Sequence, residues 1–169
     1  MSRIQPWFDR KFDTACPVER LAPLLVRLRG CPARLEELVR GVSPTALIAR
    51  TDGSWSAQEN AGHLLDLEPL WLARVGDYGA GRDALTAADL TNERTDRANH
   101  NAAPIDGILA GFRNARAGLL AAAEAVDASR RSHVLLHPRL RTPMTLADHL
   151  FFVAEHDDHH LARIWELTR

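Results

Sequence analysis

Hydrophobic residues recur along most of this chain at intervals of three and four positions, which is the spacing of one face of an α-helix. Four stretches show the pattern, and clusters of proline, glycine and polar residues separate them. The strict alternation of apolar and polar residues that is typical of β-strands is absent. The predicted helices span residues 18–40, 56–78, 104–127 and 145 to near the C-terminus.

Local signals refine the predicted ends of these helices. Gly30 and Pro32 predict a kink or a short break in the first helix. Capping boxes, which satisfy free amide groups at a helix start, open the second helix at Ser56 and the fourth at Thr145. The polar stretch 79–103 is too long for a tight turn, so we expect it to cross the bundle or to cover one end.

The apolar faces of the four helices determine the predicted fold. Each helix is apolar on one side, and four such helices bury those sides most simply against one another. A chain of 169 residues is long enough to form one such core. We therefore predict an all-α four-helix bundle with a long crossover connection, formed by residues 1–169 as a single domain.

Composition and charge exclude several classes of protein. With 46% hydrophobic and 25% charged residues the chain is typical of a globular protein, and its formal net charge of −1 disfavours nucleic-acid binding. It has neither the apolar core of a signal peptide nor an apolar run of about 20 residues that could span a membrane. Cys16 and Cys31 are isolated, which fits free thiols in a reducing compartment, so we expect a cytoplasmic location.

Histidines carry the candidate chemistry. His156 and His160 are four residues apart and therefore project from the same side of the fourth helix, and His63 lies within the apolar face of the second. Three neutral imidazoles would leave a coordination position open on a metal ion, as catalytic sites require, and would suit zinc, nickel, copper or iron(II). A pair of this spacing also arises by chance in a chain with eight histidines, so ordinary hydrogen-bonded histidines are the alternative.

Two segments resemble a known family. They are W-S-x-x-E-x-x-G-H-L at residues 55–64 and E-H-D-x-H-H-L-x-x-I at residues 155–164, and F-R-x-x-R at residues 112–116 adds to the likeness. Together with the order of helices and the long crossover, they resemble the DinB-like superfamily of proposed metal-dependent hydrolases. This is the DNA-damage-inducible four-helix family, which is unrelated to the DNA polymerase that shares its name.

The resemblance implies a metal site more firmly than a reaction. It implies that His63, His156 and His160 bind a divalent metal ion, zinc or nickel, and that the chain forms a homodimer. Members include thiol-dependent transferases and isomerases that use a low-molecular-weight thiol, beside hydrolases. We therefore expect a small-molecule substrate and no nucleic-acid or membrane partner.

Other polar residues near the predicted site each have two interpretations. Glu59, one turn before His63, could accept a proton or orient that ring, or could serve only the capping box. Arg116 could bind a substrate carboxylate or pair with an acid on a helix. His137 and Arg139 lie in the loop before the last helix and could contact substrate, although the loop could equally form only a turn.

The remaining candidates lie on the fourth helix itself. Asp157 is predicted at the edge of the inward face, where it could orient a ligand ring, whereas Asp158 and His159 are predicted to point into solvent. His149 precedes His156 by two turns, about 10 Å along the helix, so we expect a buried, hydrogen-bonded residue rather than a ligand.

Two classes of function fit these observations. The first is a metal-dependent enzyme, either a hydrolase or a thiol-dependent transferase, in which the three-histidine site activates water or a thiol. The alternative is a non-catalytic metal-binding stress-response or interaction protein, in which the ion mainly fixes the helices. A helical interaction module without metal is a third possibility.

Overall fold

The computed structural model describes residues 4–51 and 53–169. Most of these residues are helical, as predicted. Over these two ranges no helix is both long enough and apolar enough to cross a lipid bilayer.

The first predicted helix is two helices in the structure. Helix α1 spans Leu21–Arg29 and helix α2 spans Cys31–Val39, and Gly30 separates them. Pro32 lies in the first turn of α2, where its missing amide donor costs no hydrogen bond. The predicted break is therefore confirmed, and both halves bury apolar residues on one side.

The second helix is the longest. After a single-turn helix α3 (Pro44–Leu47), helix α4 runs over Ala57–Ala80, and the predicted capping box at Ser56 is formed in full. The helix ends at Gly81, whose φ of 66° is the left-handed conformation that favours glycine.

The long connection after α4 packs back along that helix. It begins beside a short hairpin described below, contains helix α5 (Glu93–Ala98) and a single 3₁₀ turn at His100–Ala102, and both of these contact α4. Helix α6 then spans Ile105–Ala125. The connection thus covers one side of α4, where the sequence suggested a crossing or a cover over one end.

A small hairpin precedes the last helix. Strands β1 (Leu135–Leu136) and β2 (Pro143–Met144) pair antiparallel, and Ala84 adds an isolated bridge to Leu136. These strands have two residues each, which is too short to produce the alternating pattern that the sequence lacks. The hairpin positions the loop that contains His137.

The last helix completes the bundle. Helix α7 spans Leu146–Leu167 and begins at the predicted capping box of Thr145 and Asp148. It packs against α1, α2 and α4, while α6 packs against the same three helices. The chain therefore forms the predicted all-α four-helix bundle. The α1–α2 pair counts as one of its four helices, and α6 and α7 each lie between this pair and α4.

A polar layer divides the apolar core into two clusters. One cluster lies around Leu28, Trp71 and Val153, and the other lies around Leu35 and Leu161. The residues of the layer, each at most 2% exposed, occupy helical positions between the two clusters. They are Glu68 on α4, Arg116 on α6 and Asp157 on α7.

Candidate metal centre

Three histidines from two helices meet inside the bundle. His63 on α4 and His156 and His160 on α7 are each between 4% and 7% exposed, and their ring centroids are 4.5–5.3 Å apart. One nitrogen of each ring lies within 4.8 Å of the others. The spacing of four residues places both α7 rings on one side of the helix, so the two face α4 together.

Hydrogen bonds determine which ring nitrogen of His63 carries the proton. Its Nδ1 lies 2.9 Å from the hydroxyl of Thr95, and that hydroxyl donates a hydrogen bond to Asp66 over 2.9 Å. Because the hydroxyl has a single proton, it must accept from His63 Nδ1–H. The Nε2 atom of His63 therefore keeps its lone pair.

His160 is oriented in the same way by Asn60. The side-chain amide nitrogen of Asn60 donates to the carbonyls of Trp55 and Ser56, which leaves its Oδ1 atom to accept from His160 Nδ1 over 2.8 Å. The proton of His160 is thus on Nδ1, and Nε2 is free.

The third ring, His156, is held by packing alone. Its neighbours are Trp7 at 5.0 Å and Trp71 at 5.5 Å between ring centroids. The Nδ1 atom of His156 is shielded from solvent and has no hydrogen-bond partner among the described residues. A buried polar atom without a partner is uncommon in proteins, and it fits a site in which a ligand completes the contacts of this ring.

All three rings are held in the neutral state. Burial lowers the pKa of His63 to about 4 and those of His156 and His160 well below the ordinary value. A neutral imidazole with a free lone pair is the form that binds a metal ion. The donor set therefore fits a divalent metal ion, with second partners already in place for His63 and His160.

Gly62 explains how the connection reaches this site. A Cβ atom at this position would lie 2.3 Å from ring atoms of His100, so only glycine permits that ring to lie against α4. His100 also binds Asp66 over 2.7 Å, the same carboxylate oxygen that accepts from Thr95. The glycine before His63 thus allows the connection to bring Thr95 to the His63 ring.

The histidines form part of the wall of a cavity of about 310 Å³. Much of that wall is apolar or aromatic, and the N-terminal segment around Trp7 covers part of it. The lining residues outside the histidine triad include Trp7, Phe8, Trp55, Leu67, Leu70, Trp71, Arg74, Asp89, His137, Arg139, Phe152 and His159.

Glu59 belongs to the fold rather than to this cavity. Its carboxylate accepts from the Ser56 amide and from the guanidinium of Arg50, and it does not line the cavity. The hydrogen bonds from Arg50, with that from Ser56, lower the pKa of Glu59 to about 2. Such a carboxylate is a weak proton acceptor, so the structure favours the capping interpretation over a catalytic one.

Arg116 and Asp157 also take structural positions. Arg116 donates to Glu68, to Asp157 and to the carbonyl of Leu28, and neither Arg116 nor Asp157 lines the cavity. Of the two interpretations of Arg116, pairing with helix acids is the one the contacts favour over binding of a substrate carboxylate. Asp157 is fully buried against this guanidinium, so its suggested role in orienting a ligand ring has no support.

The other predicted histidines divide between the cavity and the core. His137 is buried and lines the cavity. His149 is fully buried beside Trp71 and Tyr78, which confirms the predicted burial, but among the described residues its ring nitrogens lack the well-formed hydrogen bonds that were also predicted. His159 was predicted to be solvated, which is wrong: it is half-buried, lines the cavity and contacts the ring of Trp7.

Several residues of the site were not predicted from the sequence. Asn60 and Thr95 bind the rings of His160 and His63, and Trp7 and Phe8 line the cavity. Asn60 lies one turn before His63 on a predicted helix and was therefore discoverable. The other three lie in segments without periodicity, where the sequence carries no signal for their position.

Comparison with known proteins agrees with this fold. A family model described as the DinB superfamily matches residues 27–164. The structure is similar to YfiT from Bacillus subtilis, described as a probable metal-dependent hydrolase with an unusual four-helix bundle topology, with 22% identity and a TM-score of 0.82. That alignment covers 95% of this chain and 92% of YfiT.

A second similarity is more distant. The mycothiol-dependent maleylpyruvate isomerase is 12% identical with a TM-score of 0.68, and the alignment covers 90% of this chain but 62% of the isomerase. No curated protein is similar enough in sequence to match. At these identities the two solved structures establish a shared fold, while the family model spans most of the sequence. The chain belongs to the DinB superfamily.

Proposed function

We propose that this protein is a metal-dependent enzyme that acts on a small molecule bound in the cavity. The observation that carries the proposal is the convergence of His63, His156 and His160, all neutral and buried, on the wall of a largely apolar cavity. Three histidine ligands leave coordination positions for a reactant, as catalytic metal sites do. YfiT, described as a probable metal-dependent hydrolase, and a mycothiol-dependent isomerase share the fold.

The chain's own residues supply binding, orientation and exclusion of water. His63, His156 and His160 would hold the ion, which when bound supplies the Lewis acidity that activates water or a thiol toward an electrophilic carbon. Thr95 and Asn60 keep two of the rings in the tautomer that binds metal.

The aromatic wall of the cavity shields the reacting groups from bulk solvent. Activation of water predicts a hydrolase, and activation of a low-molecular-weight thiol predicts a transferase or isomerase. The choice of zinc or nickel, the homodimer and the cytoplasmic location stay predictions.

Metal content and turnover test the proposal together. Protein purified without chelators is expected to contain about one zinc or nickel ion per chain by elemental analysis, and His160→Ala is expected to contain far less. A control, His133→Ala, changes a histidine on the exposed loop after α6 and should keep the ion. Melting temperatures establish that each variant is folded.

The same preparations are then screened with ester and amide substrates, and with thiols plus electrophiles. Turnover that requires the ion and is lost in His160→Ala supports an enzyme. Stoichiometric metal without any turnover favours the non-catalytic metal-binding alternative. A wild-type protein that neither contains nor binds a divalent ion contradicts the proposal.

A further inference from the structure

We propose that the cavity binds its small molecule through a carboxylate group, held by Arg74 and Arg139. The inference rests on the proposed function, because it identifies the class of substrate that the same cavity would take. Both arginines line the cavity without a carboxylate partner among the described residues, whereas Arg116, buried in the core of the bundle, has two.

Arg74 is a buried cation without a carboxylate partner. Its side chain is 2% exposed, its Nε donates to the Thr86 carbonyl, and its Nη1 lies 3.2 Å from His137. Among the described residues no carboxylate lies within ion-pair distance, and no hydrogen bond engages Nη2. Asp77, one turn along the helix, is instead bound to Thr86 and Arg82. Buried charges are normally paired, because desolvation of an unpaired ion is costly.

Arg139 presents a second unpaired cation to the same cavity. Its guanidinium lies 5.1 Å from the ring of Phe8, and its Nη2 is shielded from solvent without a hydrogen-bond partner in the described ranges. The arginine is also free of ion pairs with the described carboxylates. By contrast, Arg116 has two carboxylates, Glu68 and Asp157, and lies outside the cavity.

The two arginines affect each other and the histidine between them. Burial lowers the pKa of Arg74 to about 10; the nearby charge of Asp77 opposes this shift, and the charge of Arg139 adds to it. Burial and then these two cations lower the pKa of His137 to about 4. The imidazole is therefore neutral, and this end of the cavity carries two positive charges that an anion would balance.

The rest of the wall favours an organic acid over an inorganic anion. Asp89 is the one acidic residue in the described lining, and its carboxylate accepts hydrogen bonds from Thr91 and from the Glu93 amide. Leu67, Leu70 and Phe152 line the apolar part. A planar guanidinium binds a carboxylate through two parallel hydrogen bonds, and the apolar wall would bury the remainder of the molecule.

A pair of matched probes tests the inference. Binding of 2-naphthoate and of its uncharged counterpart 2-naphthamide is measured by calorimetry on the full-length protein as purified. We expect the acid to bind at least about tenfold more tightly than the amide, since hydrogen bonds to a charged partner typically contribute that much. In Arg139→Gln this preference should fall to about twofold or less.

Two further variants separate the arginines from the metal centre. In Arg29→Gln, which removes an exposed arginine paired with Glu124 outside the cavity, the preference should be unchanged. In His160→Ala the preference for the acid should also persist, because it does not depend on a bound ion. Arg139 is half-buried, so its variant is expected to fold, and melting temperatures verify this.

The inference is overturned by several outcomes. They are equal binding of acid and amide to the wild-type protein, absence of binding of the acid at millimolar concentration, and an unchanged preference in Arg139→Gln. Inorganic phosphate that displaces naphthoate at equal concentration also contradicts it, because the apolar body would then contribute nothing. Metal content measured on the same samples separates the proposals: a preference for the acid in wild-type protein that neither contains nor binds an ion would refute the metal centre alone.

Discussion

Two buried polar clusters lie close together in this bundle, and they are built in opposite ways. In the ion cluster, Arg116 meets Glu68 and Asp157, and each charge has a partner. In the histidine cluster, His63 and His160 direct their protons to neutral partners and keep lone pairs free on the other side. In the first cluster every charge is paired without a ligand, whereas the second has nitrogen lone pairs that remain free to bind one.

Two neighbouring residues of one helix belong to different clusters. His156 and Asp157 are consecutive on α7, yet the histidine lines the cavity and the carboxylate faces Arg116 in the core. A rotation of 100° between consecutive helical residues produces this separation. A polar residue beside a metal ligand in the sequence is therefore no evidence of a role at the metal. The predictions below test this division, from the largest expected effect to the smallest.

Breaking the ion cluster should have the largest effect on stability. Arg116→Met leaves Glu68 and Asp157 buried without a countercharge, so the free energy of unfolding is expected to fall by about 3–5 kcal/mol. Urea denaturation measures this. The control is Arg113→Met, at an exposed arginine one turn before Arg116 on α6. Arg113 pairs with Glu36 of α2, and its replacement should change stability by less than about 1 kcal/mol. Equal effects in the two variants would contradict the contrast between the clusters.

Acid should destabilise the folded protein through the histidine cluster, against an opposing contribution from Glu68, whose pKa burial raises to about 7. The pKa of His63 is about 4 in the folded protein and about 6.5 in an unfolded chain, so the unfolded state binds more protons between these values. Stability is complete above about pH 6.5 and is lost as the pH falls toward 4, by roughly 3 kcal/mol for His63 alone. Urea denaturation of chelator-treated protein measures the slope, and a flat profile between about pH 6.5 and 5 would contradict neutral buried rings.

Removing the partner of His63 should weaken metal binding without unfolding the protein. Thr95→Val deletes the hydroxyl that orients the ring, so the affinity for zinc should fall by about 10–100-fold in competition with a chromophoric chelator. The control Thr168→Val deletes a hydroxyl that binds the Ile164 carbonyl near the end of α7 and should leave the affinity unchanged. An unaltered affinity in Thr95→Val would show that this hydroxyl does not orient a ligand.

The smallest effect is expected at Glu59, which lies near a ligand in sequence but serves the fold. Glu59→Ala removes half of the capping box and the pair with Arg50, so stability should fall by about 1 kcal/mol. Metal content should match the wild-type protein. If turnover is found for the wild-type protein and disappears in this variant while stability and metal content are retained, the sequence-based assignment of a catalytic Glu59 is restored.

Helical periodicity accounts for what could be predicted from the sequence. It predicted the four helical segments, and it placed His63, His156 and His160 on inward faces because their positions follow directly from 3.6 residues per turn. The break at Gly30 and the caps at Ser56 and Thr145 depend on local chemistry, which the sequence also contains.

The remaining features depend on tertiary contacts. Thr95 reaches His63 from a connection without periodicity, so no local pattern indicates the contact. The choice of Glu68 and Asp157 as partners of Arg116 depends on the rotation of three helices relative to one another. Because the chain has many acidic residues, the sequence alone does not specify which of them pair with Arg116.

The absence of a side chain at Gly62 has a consequence for how this protein can vary. Because the ring of His100 rests directly on the α4 backbone, the segment from Thr95 to Ala102 has its own anchor on α4, in addition to the hydrogen bond from the Glu93 amide to Asp89. Insertions or deletions within residues 87–91 would then change the rim of the cavity while Thr95 kept its place at His63. Relatives could in this way accept different molecules without rebuilding their ligand shell.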